Sequence, residues 1–549
     1  MSLHPAVEDR LARLADDQRA AATAPPGPVL CVAPAGSGKT TTLVARICWL
    51  VAGGTDPEQI TAVTFNKRAA DELEARLKEA LAPLGDTGPT PRVRTFHALG
   101  REILVDAGVT VSNLMDRAEV LRRLNGKPLR SSTLRRFDDA ISRLKLDDMV
   151  DADEVRQIVA AQGELPNDPA ICSAFVAYED WLKNNGALDF DDLVRLCLRR
   201  LRADPVLLAR WRERCRVMLV DEVQDVDRTQ LELALLLAGE QPNVFLVGDD
   251  DQTIYAWRLA DVRRVLELAG ALSGLRRVDL VTNYRCPRPV VQRAVRLVER
   301  NQERFAKMIQ AGPSAAGDLV LCPDPGDDVA RARRLLTTWF KSGTGGHAVL
   351  SRTNAELAPF AAVAIELGIP YRAADDGLAL DDARLNDVLD ALPVDQPPAV
   401  ALAGVQWLAA WALPYRTADD FRAAVGHARD QRRKLRREDA ELVLATAHGT
   451  KGLEFDHVVC IGNDEGVFPS RRTLEEAENP TRALEEERRL AYVAWTRARK
   501  SLTLVYDPSA PSVFMRDAFS ADELQFQRVS NGSTARRMLP RSSAAGSMG

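Results

Sequence analysis

The segment VLCVAPAGSGKT (29–40) leaves little freedom to the fold around it. A short apolar run ends in a glycine-rich turn, and the turn ends in Lys-Thr-Thr at the head of an apolar helix pattern. That is a buried strand, a loop and a helix start in immediate succession. Such a loop closes backbone N–H groups around an anion at a helix N-terminus, where the macrodipole adds positive charge. The expected phosphate loop is Ala33, Pro34, Ala35, Gly36, Ser37, Gly38, Lys39, Thr40 and Thr41. Lys39 suits the β- and γ-phosphates of a nucleotide, and Thr40 suits Mg2+. Ala33 stands where the general pattern has glycine.

A buried strand needs neighbours, and the sequence supplies them. ITAVTF (60–65), VRTF (93–96), RVMLVDE (216–222) and NVFLVGDD (243–250) are further buried-strand candidates separated by helical stretches. This predicts an α/β fold with a mainly parallel sheet. Residues 98–187 break the rhythm and read as a charged helical insertion. A second α/β set follows in HAVLSRTN (347–354), LVLATAH (442–448), HVVCIGN (457–463) and LTLVYD (502–507), with a strand-poor stretch at 376–440. A length of 549 residues fits about three to four domains of ordinary size.

VMLVDEVQD (217–225) ends a strand in adjacent carboxylates. Asp221 suits Mg2+ through water, and Glu222 suits the base that orients an attacking water. Behind a phosphate loop, that pair points to ATP hydrolysis. Phosphoryl transfer also draws on added cations, which arginines often supply. Arg285 in TNYRCP and Arg497 in AYVAWTRAR are candidates that spacing alone does not choose.

Tyr255, Trp257 and Arg258 follow closely on Gln252. The aromatics are either core residues or a platform on which bases stack, and Arg258 adds phosphate or stacking contacts. Phe65, Asn66, Thr95, Phe96 and His97 follow strand ends, where a parallel sheet presents ligand contacts. Taken alone, His97 and His448 read more often as structural histidines. The net charge of −5 excludes no nucleic-acid partner, because one basic groove suffices. The longest apolar runs fall well short of the ~20 residues that cross a bilayer. The first residues have no apolar core of signal length, and the eight cysteines are scattered without a CxxC pair. The expectation is a cytoplasmic chain with no membrane span, disulfide framework or metal cluster.

In order along the chain come DDQRAA (16–21), APAGSGKT, AVTFNKRAADEL (62–73), TFHALG (95–100), LDFDDL (188–193), VDEVQD, VGDDDQTIYAWR (247–258), NYR (283–285), LSRTNAEL (350–357), TAHGTKGLEFDHV (446–458) and EEERRLAYVAWTRAR (485–499). With these the chain resembles the UvrD/Rep/PcrA-like helicases of superfamily 1A. The resemblance implies two RecA-like P-loop motor domains, at 1–97 with 188–275 and at 276–380 with 441–510. It also implies a helical insertion at 98–187 and a reduced remnant of the family's large regulatory insertion at 381–440. Residues 511–549 are expected to be a largely disordered tail.

By the same resemblance Gln18 reads adenine, Tyr284 stacks on it, and Glu454 meets the ribose. Gln252 senses the γ-phosphate, while Arg285 and Arg497 contact phosphates, the two motor halves sharing one Mg2+–ATP. Thr41 stands where several relatives carry arginine, which loosens base discrimination. Phe65, Asn66, Thr95, Phe96, His97, Tyr255, Trp257, Arg258, Arg352, Asn354 and His448 are implied strand contacts. The implied activity is an ATP-dependent 3′→5′ DNA helicase on single strands and junctions, in repair, recombination or defence. Two alternatives stay open: a translocase that strips proteins from DNA, and a DNA-binding subunit that recruits a nuclease. The basic run ARDQRRKLRRED (428–439) reads as a duplex contact or as a solvated helix face.

Overall fold

Val29–Val32 (β1) is buried along its whole length because helices cover both faces of its sheet. The computed structural model describes residues 3–85, 90–126, 129–161, 163, 167–324, 326–342, 345–393, 396–402, 411–524 and 536–537. The chain divides into two units, Met1–Asn283 with Glu303–Ile309, and Tyr284–Gln302 with Gln310–Gly549. The chain therefore enters the second unit at Tyr284, returns for one short stretch, and leaves again.

In the first unit β1 joins β2 (Ile60–Thr64), β3 (Arg92–Thr95), β4 (Val217–Val220), β5 (Val244–Gly248) and β6 (Arg276–Asp279). The order is β3-β2-β4-β5-β1-β6, and each pairing is parallel. All C-terminal strand ends thus lie on one edge. The phosphate loop leaves β1 there, Phe65 leaves β2, His97 follows β3, Asp221 follows β4 and Asp249 follows β5. The edge strand β6 extends the first unit to Asn283, past the boundary expected at 275. Its sequence RRVD is half-exposed, so it carries no apolar run to announce a strand.

The helical insertion is also narrower than 98–187. The helix Phe96–Asp106 puts Phe96, Leu99, Ile103 and Leu104 into the core beneath the sheet, with Leu193 and Val194. The inserted helices gather around Val120, Ile141, Leu144, Phe175 and Tyr178 instead. Their entry and exit are zipped together, since Met115 N–H donates to Leu188 O and Leu188 N–H to Asn113 O.

In the second unit lie β7 (Asp318–Pro323), β8 (His347–Ser351), β9 (Tyr371–Arg372), β10 (Leu442–Thr446), β11 (Phe455–Cys460), β12 (Ala498–Tyr506) and β13 (Arg536–Arg537). Among the described residues they form a seven-stranded sheet in the order β9-β10-β8-β11-β12-β7-β13, antiparallel only at β13. The stretch 381–440 carries the helices Ala383–Asp390 and Ala418–Leu435, with a core of Leu380, Leu385, Leu389, Phe421 and Val425.

The basic run there is partly tied into the fold and partly exposed, with Arg433 and Arg437 facing solvent. Arg432 pairs with Asp376 and Asp381, Arg429 donates to Leu380 O, and Arg436 donates to Ala373 O. The expectation of disorder from 511 onward fails for 511–524. Phe514, Met515 and Phe519 are buried there, and Arg293 and Arg488 hold Glu523 and Asp517. Residues 525–535 and 538–549 of the expected tail lie outside the described residues. No described helix is long and apolar enough to cross a membrane. All eight cysteines are buried free thiols.

Candidate functional site

The loop after β1 turns on two glycines in the left-handed region, Gly36 (φ 68°) and Gly38 (φ 84°). Gly38 opens the helix Lys39–Ala52. The left-handed backbone is what calls for glycine at 38, and a Cβ there would lie 2.6 Å from Gln18 Nε2 and displace that amide. Gln18 fills that space and donates from Nε2 to Ser37 O at 2.8 Å. Its Oε1 accepts from Ala15 N–H at the start of its own helix, so the amide ties that helix to the loop. The Ser37 hydroxyl is buried and finds no partner among the described residues, as suits a loop built to meet an oxyanion. Thr40 is half-buried at the helix head, and Thr41 faces solvent.

Lys39 Nζ donates to Ala33 O at 3.3 Å and lies 3.8 Å from Glu222 Oε2. Glu222 has φ 51°, a left-handed backbone that costs a side-chain-bearing residue about 1–3 kcal/mol. Gln224 Nε2 clamps its carboxylate at 2.7 Å. Asp221 accepts from Glu222 N–H, and burial, then the adjacent Glu222, pushes its carboxyl up to about 7. Lys39 acts against that rise, while Asp225 adds to it. The site thus holds more anion than cation at the strand end, and a divalent cation fits that donor set. Mg2+ would be held by Thr40 and Asp221, and would supply charge neutralisation at the phosphates.

From β5, Asp249 N–H donates to Gln224 Oε1 at 3.0 Å. Gly248 makes this possible, since a Cβ there would lie 2.3 Å from the same oxygen. Gln252 Nε2 donates to Asp249 Oδ2 at 2.7 Å. The sequence-predicted Lys39, Asp221, Glu222 and Gln252 are therefore brought together on one sheet edge.

The next residues of the same segment form an aromatic face. Phe65 stacks on Tyr255 with centroids 5.0 Å apart at 10°, and Tyr255 meets Trp257 edge-on at 6.0 Å. Trp257 is 48% exposed, with the Arg258 guanidinium 4.7 Å over its ring. His97 stacks on Phe190 at 3.9 Å, and Phe190 is 60% exposed. Burial holds the His97 imidazolium down, to about 4, with Arg258 close enough to add to the effect against Asp191.

Asn66 and Thr95 cap the helices Lys67–Leu81 and Phe96–Asp106, so their side-chain oxygens serve the backbone. Phe96 is a correction: it is 3% exposed and belongs to the core, out of reach of any base. Phe190 was missed by motif reading, although an aromatic between acidic residues in LDFDDL has no core to join. It is fixed in place by Asp189 and Asp192. Asp189 receives Arg117, Lys145 and Tyr178, and the two aspartates cap each other's N–H.

In the second unit Arg285 and Arg497 converge on Thr496. Arg285 Nη1 donates to Thr496 O, and Arg497 Nη2 to Thr496 Oγ1, both at 3.3 Å. Arg285 Nε also binds Glu454 at 2.8 Å, while Arg497 is buried with donors to Val493 O and Leu453 O. Tyr284, beside them in sequence, is 50% exposed. Arg352 commits Nε and Nη2 to Glu487, and Asn354 donates to Asp375. His448 is half-buried, and burial, then Arg352, lowers it to about 4.

A phosphate loop, a strand-end carboxylate pair and a buried glutamine on one parallel edge define a nucleotide-binding P-loop protein. Sequence comparison narrows the class. Residues 14–272 match the UvrD/REP helicase N-terminal domain, and residues 422–509 match the UvrD-like helicase C-terminal domain. The ATP-dependent DNA helicase UvrD2 of Mycobacterium tuberculosis (strain CDC 1551 / Oshkosh) is 31% identical over 553 residues, covering 90% of this chain and 78% of its own. DNA helicase II of Escherichia coli (strain K12) is 27% identical over 615 residues, with 90% and 84% covered. The ATP-dependent DNA helicase Rep of Salmonella typhimurium is 25% identical over 605 residues, with 87% and 88% covered. The chain belongs to the UvrD/REP helicase family, and its two α/β units are the RecA-like motor domains of that family.

Proposed function

We propose that the chain is a cytoplasmic, ATP-driven DNA helicase that translocates 3′→5′ on single-stranded DNA. The observation that carries this reading is the exit of β5. Within ten residues it holds Gln252, hydrogen-bonded to Asp249, and Trp257, presented to solvent beside Arg258. One short segment thus has a chemical end and a stacking end, which is what coupling requires.

In this reading Lys39 neutralises the β- and γ-phosphates, Glu222 orients the attacking water, and Arg285 and Arg497 supply transition-state cations. Gln18, Tyr284 and Glu454 contact the adenosine. Phe65, His97, Phe190, Tyr255 and Trp257 form the strand platform. Arg258 extends it, with Asn66 and Thr95 at its margin, and the family resemblance adds Arg352, Asn354 and His448 of the second unit as strand contacts of their own. Polarity follows the family resemblance. The names of the relatives, all DNA helicases, support DNA as the track.

A second reading has one observation in its favour. The alignment with DNA helicase II runs over 615 residues although the chain has 549, so that relative carries segments this chain lacks. A translocase that moves well and separates duplex poorly fits that difference.

Glu222→Gln tests the hydrolytic reading. The variant is expected to bind ATP normally and to lose DNA-stimulated turnover by ~10²–10⁴-fold, the usual worth of a general base. Near-normal turnover would sink the assignment. A pure DNA-binding scaffold would keep its activity in that variant.

A further inference from the structure

Three consecutive carboxylates, Asp249, Asp250 and Asp251, leave β5 and are almost wholly out of solvent. Buried anions must be paired. Their cations come from Glu303–Ile309, the short stretch of first unit that the second unit flanks in sequence on both sides. Lys307, whose side chain has no exposed surface, places Nζ 2.9 Å from Asp249 Oδ1 and 2.9 Å from Asp251 Oδ2, and also reaches Asp250. Arg304 holds both oxygens of Asp251, and Phe305 N–H donates to Asp250.

Asp249 faces two ways. Its Oδ1 takes Lys307, and its Oδ2 takes Gln252 Nε2 at 2.7 Å. Its backbone is fixed independently by Gln224. Its Oδ1 also accepts from Asp251 N–H at 3.2 Å, so Lys307 and that N–H together set the rotation about its side-chain bonds. We propose that Lys307 is a positioning residue for ATP hydrolysis, holding Asp249 so that Asp249 aims Gln252. The inference rests on the reading of this edge as an ATPase site. It makes the strap between the two passages through the second unit part of the hydrolytic machinery.

A lysine needed only to balance charge makes a different prediction. The double variant Lys307→Met with Asp250→Asn removes one cation and one anion, so the buried balance is unchanged. It cuts the tie to Asp249 while Arg304 still holds Asp251. The expected result is a melting temperature close to that of the parent, a KM for ATP within about twofold, and a kcat on single-stranded DNA down by about tenfold or more. In a Gln252→Ala background the same pair should add less than about twofold, because its effect passes through Gln252. A parental kcat in the folded double variant, or full additivity with Gln252→Ala, overturns the proposal. So does a double variant that fails to fold, since Lys307 is then a structural tie. Parental DNA-stimulated turnover and its loss in Glu222→Gln test the underlying ATPase reading separately, so the two failures are told apart.

Discussion

Trp257 shows how one side chain is decided between core and ligand. It is half-exposed, its ring is gripped on one side by Tyr255, and Arg258 lies over it. A core tryptophan would be covered, as Trp211 and Trp495 are. Trp257→Ala is therefore expected to weaken single-strand affinity by ~1–3 kcal/mol, the cost of a lost base stack, with basal ATP hydrolysis largely kept. Fluorescence anisotropy on a labelled oligonucleotide measures the affinity, and a thermal melt shows that the fold survives. Unchanged affinity would return Trp257 to a structural role.

The histidines make a pH prediction. Burial leaves His97 and His448 neutral until about pH 4, well below the usual 6.5. The unfolded chain takes up these protons first, so stability falls as pH drops from about 6.5 towards 4. Between pH 6 and 8 neither ring changes charge. Strand affinity at fixed salt should then stay flat across that window. A gain at pH 6 that His97→Gln abolishes would mean that the imidazolium forms after all.

At the level of elements, the insertion is locked to the first motor core by ions rather than by apolar area alone. Lys145 has no exposed side-chain surface and lies 2.9 Å from carboxylates of Asp189, Asp192 and Glu179. Removing one partner of such a buried cluster strands the others. Lys145→Met should cost about 3–5 kcal/mol in urea unfolding of the full chain, and a loss near zero would make the cluster neutral to stability.

This latch also explains where the sequence was legible. The strands β1, β2, β4 and β5 are continuous apolar runs because both their faces are covered, and such runs announce themselves. The half-exposed edge strand β6 has no such run, so its sequence does not announce a strand. Phe514, Met515 and Phe519 are apolar at helical spacing, but the segment is short and follows no motif, so a folded end was taken for a tail. At the site, the motif residues Lys39, Asp221, Glu222 and Gln252 lie on one sheet edge because each follows a strand end that the apolar runs mark. Lys307 and Arg304 were not legible in this way, because their meaning depends on the chain returning from Tyr284–Gln302 to meet Asp249–Asp251. No spacing rule encodes that return.

For the molecule as a whole, the open issue is whether one copy is enough. About 75 residues separate Tyr371 from His448, against the large regulatory insertion that the family resemblance places there. The helices in that interval are rooted rather than hung on a linker. Arg432 grips both oxygens of Asp376, at 2.7 and 3.0 Å, and Asp376 also receives the Tyr371 hydroxyl at the end of β9. A module so small, held by a buried ion pair next to a strand, has little range in which to swing and block the track. A monomer is therefore expected to show DNA-dependent ATPase and to translocate 3′→5′, with duplex separation weaker than translocation. The measurement is arrival of protein at a 5′-end fluorophore on single strands of increasing length, across a protein titration, with mass determined on the same DNA. Lag times that grow with length at concentrations where only monomers are bound carry the expectation. Translocation that appears only once dimers form would overturn it, and arrival at a 3′-end label instead would overturn the polarity.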